Sequence, residues 1–188
     1  MYINVMKKFF TPIVILAMLV IPMLSLASDF RGGTQSSVKK DEKISSDIYI
    51  GGSNVTSSGI IKGDLIAGGG NIVVNGDVGA DVMVGAGNVS ILGDVGDDVR
   101  VAGGTIILNG KVGGDLIIGG GQVNISGLGI AGDAIIGAGD LRIDAPIAGK
   151  VVIGGGNVFI NASIGGDVKI DADKVTLGSG AVLMGNLS

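Results

Sequence analysis

Apolar and polar residues alternate along this chain in a phrase that returns at a fixed interval. Counted from its opening residue as position zero, the phrase starts at Asp47, Asp64, Asp81, Asp98, Asp115, Asp133, Lys150 and Asp167. Each step is 17 residues, except one of 18 between Asp115 and Asp133. Aliphatic residues recur at +1, +3, +8, +10 and +14, as in Val82, Val84, Val89, Ile91 and Val95. Within each of the first two pairs the spacing is two, so each pair lies on one face of a short strand. Small residues separate the pairs at +4 to +6, as in Gly68-Gly69-Gly70 and Gly85-Ala86-Gly87, and the expectation is a corner that uses glycine for positive φ. Further small residues fall near +12 and just before the next phrase.

A fixed period of this length marks a solenoid, in which one coil stacks on the last. Two strands and a shorter third side, divided by three turns, predict a single-stranded, three-sided parallel β-helix of about eight coils over residues 47–188. The rule for parallel crossovers makes it right-handed. At ~4.8 Å per coil the rod is roughly 35–40 Å long. One coil buries too few aliphatics to offset the entropy of ordering it, so folding is cooperative over several coils.

Two segments precede the repeats. Residues 1–28 have Lys7 and Lys8 before an apolar stretch from Phe9 to Leu24, then Ser25-Leu26-Ala27 as a cleavage site. That anatomy predicts a hydrophobic leader helix serving as a signal peptide, or as an uncleaved membrane anchor, and an exported, envelope location. Residues 29–46 are polar and charged and read as a flexible linker.

Composition narrows the chemistry. There is no Cys and no His, which removes thiol nucleophiles, disulfides, Cys/His zinc sites and imidazole acid–base catalysis. From Ile44 onward, 7 Lys and Arg face 14 Asp, a net of −7 that repels nucleic acid. No phosphate-binding loop, catalytic set or cofactor motif is present, and nothing marks a small-molecule substrate. The aspartates at position zero are read as local Asx-type turns rather than a metal site, because Lys150 interrupts them.

The Gly-Asp-aliphatic turns (Gly63-Asp64-Leu65, Gly114-Asp115-Leu116, Gly166-Asp167-Val168) and the closing stretch from Ala172 to Leu187 resemble the bactofilin family of polymer-forming cytoskeletal proteins. The resemblance implies a right-handed β-helix that polymerises end to end without nucleotide, often at a membrane. Typical members are cytoplasmic, whereas this chain carries an export-type leader. The expected function is a non-enzymatic scaffold whose partner is itself, with the membrane reached through the N-terminal segment. A cell-surface adhesin or polysaccharide-binding β-helix is the alternative.

Two surfaces are expected to carry self-association. The outward position +2 is apolar at Ile66, Met83, Ile117, Ile135 and Val152, a stripe suited to lateral contact. The terminal coils, through Ile48 and Ile50 at one end and Val175 and Leu177 at the other, are expected to stack end on end.

Overall fold

The computed structural model describes residues 28–188, so the expected leader helix lies outside the described residues. Described residues form an all-β parallel solenoid of about nine turns, with no helix. The strands are β1 (Asp29–Gly32), β2 (Gln35–Val38), β3 (Lys43–Ile44), β4 (Ile48–Ser57), β5 (Ile60–Ile61), β6 (Leu65–Val74) and β7 (Val82–Ile91). They continue as β8 (Val99–Leu108), β9 (Leu116–Ile125), β10 (Ala134–Ile143), β11 (Val151–Ile160), β12 (Ser163–Ile164), β13 (Val168–Leu177) and β14 (Val182–Leu183).

Each long strand covers positions +1 to +10 of one phrase and pairs in parallel with the next, in the order β1-β4-β6-β7-β8-β9-β10-β11-β13. Register follows the phrase. Leu65 sits opposite Val82, Val82 opposite Val99, and the step of eighteen puts Ala134 opposite Leu116. A narrower ladder runs beside the long strands, a column of parallel bridges at +14 through Ile61, Val78, Val95, Val112, Ile130, Ile147 and Ile164. All five aliphatic columns point inward and form one continuous core.

The glycines serve a purpose other than the expected one. Positive φ occurs only at Gly33, Gly127 and Gly129 among the described residues, not at the +4 to +6 corners. What glycine supplies there and at +12 is close approach between coils. A Cβ on Gly69 would overlap the carbonyl oxygen of Gly52, and one on Gly110 would overlap that of Gly93. The +4 glycines differ: a Cβ on Gly119 meets nothing within 4 Å. Ala102 and Asp171 stand in that same column.

The extra residue near Gly127-Leu128-Gly129 is taken up in a turn. Gly127 and Gly129 adopt φ of 95° and 108°, in the left-handed region that favours glycine. Leu128 projects to solvent between them, and Ile130 returns to the +14 column between Val112 and Ile147.

The segment expected to be a linker is a coil. β1 and β2 both pair with β4, and β3 pairs with β5. Its hydrophobic period is hidden because Asp29, Arg31 and Ser36 take the inward places beneath Ile48, Ile50 and Val55. Only Val38 and Ile44 keep the apolar pattern, and they are buried.

Substitutions in the two glycine columns separate close approach from mere flexibility. Gly110→Ala is expected to lower unfolding stability by about 1–3 kcal/mol, through a clash with the coil beneath. Gly119→Ala is expected to leave it unchanged or raise it by up to about 1 kcal/mol. Chemical denaturation of both variants measures the difference.

Candidate interaction surfaces

At position zero the aspartates join successive coils. Asp64 Oδ1 accepts the backbone N–H of Asp81 at 3.0 Å, Asp81 that of Asp98 at 3.1 Å, and Asp98 that of Asp115 at 2.7 Å. Asp115 accepts from Asp133 at 2.8 Å and Asp133 from Lys150 at 2.7 Å. The bonds reach one coil onward, which corrects the reading of local Asx turns. Parallel stacking places each carboxylate against the N–H of its successor, and an anionic acceptor makes that bond stronger than a neutral one. Lys150 ends the run because its side chain can only donate. A second, shorter column behaves alike, with Asp77 accepting from Asp94 and Asp94 from Lys111.

Asp81, Asp97 and Asp98 bring carboxylate oxygens within 4.8 Å of one another. Arg100 already bridges two of them, at 3.0 Å to Asp81 and 2.7 Å to Asp98. Its guanidinium titrates above the ordinary arginine range, chiefly because of the hydrogen bond to Asp81.

The +2 residues stand in register on the outer face, in the order Tyr49, Ile66, Met83, Arg100, Ile117, Ile135, Val152, Lys169. Met83, Ile117, Ile135 and Val152 are exposed, and Ile66 is half-buried. One residue missed from the sequence extends the stripe. Phe30 lies beside Tyr49 with the rings stacked at 4.8 Å, and it is exposed. It was hidden in the supposed linker, where the offset to the next coil is nineteen rather than seventeen.

The two ends of the rod are unlike. Ile48 and Ile50 are buried against the first coil, so they do not form an end face as expected. In their place Arg31 gathers a charged lid. It bonds Asp29 Oδ2 through Nη2 at 2.7 Å, and Glu42 and the Ser37 carbonyl through Nη1 at 3.0 and 2.8 Å. Hydrogen bonds from Arg31, and then from the Lys39 backbone N–H, hold the Glu42 carboxyl well below its usual range, at about 2. At the other end, Val175 and Leu177 are 43% and 46% exposed, whereas Val158 and Ile160 directly beneath them are 2% and 0% exposed.

Two outcomes are expected. Asp115→Ala, which removes an inter-coil acceptor, lowers stability by about 1–2 kcal/mol, and Asp115→Asn, which keeps a carbonyl oxygen, costs less than half as much; urea denaturation compares them. Glu42 has a depressed folded pKa, so its contribution is present above its ordinary value of 4.5 and is lost as pH falls toward 2. Melting temperatures of the wild type and Glu42→Gln should therefore differ at neutral pH and converge across that acid window.

Comparisons with protein-family models, with curated proteins and with solved structures find no match for this chain.

Proposed function

We propose that this chain is a non-enzymatic structural scaffold, a right-handed, three-sided β-helix that joins other copies of itself at the cell envelope. The bactofilin-like turns and closing stretch support this reading, as does the export-type leader, which would deliver the rod across a membrane or hold it there. The observation that carries it is the apolar face of the last described coil. Val175 and Leu177 occupy columns that are buried in the coils beneath, yet here they stand exposed. A second copy offers a face of matching shape and chemistry, and covering it removes apolar surface from water.

The Asp29–Arg31–Glu42 lid makes the opposite end a poor partner for that face, because stacking aliphatics on it would strip water from three charges. Rods therefore meet through their C-terminal faces. The +2 stripe then joins them side by side, which lets assembly proceed beyond a pair. Arg100 sits within the stripe with its charge matched by Asp81 and Asp98.

Light scattering and negative-stain microscopy of the full chain test this. The wild type is expected to form assemblies larger than one rod. Replacing Val175 and Leu177 together by Asp should raise the dissociation constant at least about a hundredfold, given ~1.5 kcal/mol or more for each apolar side chain covered. Both residues rest on Val158 and Ile160, so circular dichroism of the variant is needed to show that the rod stays folded when assembly is lost. A wild type that stays a single rod at high concentration defeats the proposal.

A further inference from the structure

Beside the apolar stripe at +2 runs a lane of small residues at +4, on the same outer face. The two columns match coil by coil. Where +2 carries a large apolar side chain, +4 is glycine, as at Ile117 with Gly119, Ile135 with Gly137 and Val152 with Gly154. Phe30 and Gly32 keep the rule in the first coil. At Arg100, whose guanidinium turns aside to Asp81 and Asp98, the +4 residue is Ala102. In the last coil Lys169 at +2 is matched by Asp171 at +4, and both are exposed.

Nothing within the chain requires this matching. The +4 glycines have no positive φ, and a Cβ on Gly85, Gly119, Gly137 or Gly154 would meet nothing within 4 Å. Side chains are accommodated in the column, as Ala102 and Asp171 show. Glycine weakens a strand interior and recurs where another backbone or ligand comes close. Here the close approach must come from outside the chain. Lys169 and Asp171 likewise form no ion pair among the described residues, with each other or with another group.

We propose that a second copy covers this face with its rod axis parallel, each +2 ridge seated in the +4 lane of the other. This pairing rests on the side-by-side contact proposed above and fixes its direction. A two-fold axis parallel to the rods, midway between the columns, carries +2 onto +4 and keeps every coil level with its own copy. Lys169 of each rod then meets the partner's Asp171, so that ion pair is made twice. Each apolar ridge residue meets a glycine, and the sheets approach more closely than the ~10 Å of ordinary face-to-face packing. Antiparallel rods would instead set ridge on ridge and leave the lanes empty.

The chain has no cysteine, so single engineered thiols report the arrangement. Met83→Cys and Val152→Cys, prepared separately in the full chain, are treated with a short bismaleimide at high protein concentration and low ionic strength. In the parallel pair each thiol lies about 7 Å along the strand from its own copy, so each variant should link to itself. An antiparallel pair can link at most one of the two to itself. Thr56→Cys, exposed on another face, should not link. Lys169→Asp in the Met83→Cys chain should lower the linked yield at least about fivefold, because the two-fold repeats each lost ion pair. Adding Asp171→Lys should restore it. Gly137→Leu should abolish linking while circular dichroism shows the rod still folded. Failure of either thiol variant to link to itself overturns the proposal, as does a link between positions 83 and 152 in a mixture, equal linking by Thr56→Cys, or no restoration by the charge swap. The links should persist, at lower yield, in the Val175→Asp, Leu177→Asp background, which reads this contact apart from the end contact. Assemblies that persist in light scattering without these links sink the parallel pairing and leave the end contact standing.

Discussion

The distance between one coil and the next is the constraint from which the rest of this molecule follows. Parallel strands hydrogen-bond at a set spacing, and here each coil is both donor and acceptor to its neighbours along almost its whole length. At the turns this brings backbone against backbone, and the glycine columns at +5, +6 and +12 exist to permit it. Position zero exploits the same distance in the opposite sense. A short carboxylate is long enough to reach the N–H of the residue that succeeds it in the stack, which is why Asp recurs there. A longer or apolar side chain would miss that donor.

Stacking at constant register also decides what the surface can be. Any outward position becomes a column, so a modest preference in the repeat is multiplied into a linear feature. The apolar +2 stripe, the amides at +7 and the carboxylates at position zero are three such columns on one narrow rod. Chemistry that needs an enclosed cleft has little to work with in this geometry. Recognition along a line is what it favours, whether the line meets another rod or an extended chain.

Much of this was legible in the sequence because aliphatics at +1, +3, +8, +10 and +14 repeat from Ile48 to Val168 with one exception, Ser57 at +10. The architecture, the inward columns and the outward stripe all follow from that period. The first coil was not legible, since its inward places hold Asp29, Arg31 and Ser36 and hydrophobicity is the only signal a repeat search reads. The N-terminal end face was misjudged for the same reason: Ile48 and Ile50 are terminal only if the lid is invisible. Glycine misled differently. Its abundance at the corners suggested unusual dihedral angles, whereas the requirement is set by a neighbour seventeen residues away, which no local reading of the chain contains.

The turn at Gly127-Leu128-Gly129 shows how such a rod tolerates a change of length. An added residue inside a long strand would reverse which side chains face inward for the remainder of that coil. Placed between two glycines in left-handed geometry, it leaves Ile130 in its column and every later coil undisturbed. This corner is therefore a natural grafting point. A longer segment inserted at Leu128 would be displayed as an appendage on an unaltered shaft, giving the fold a way to acquire new recognition loops without being rebuilt.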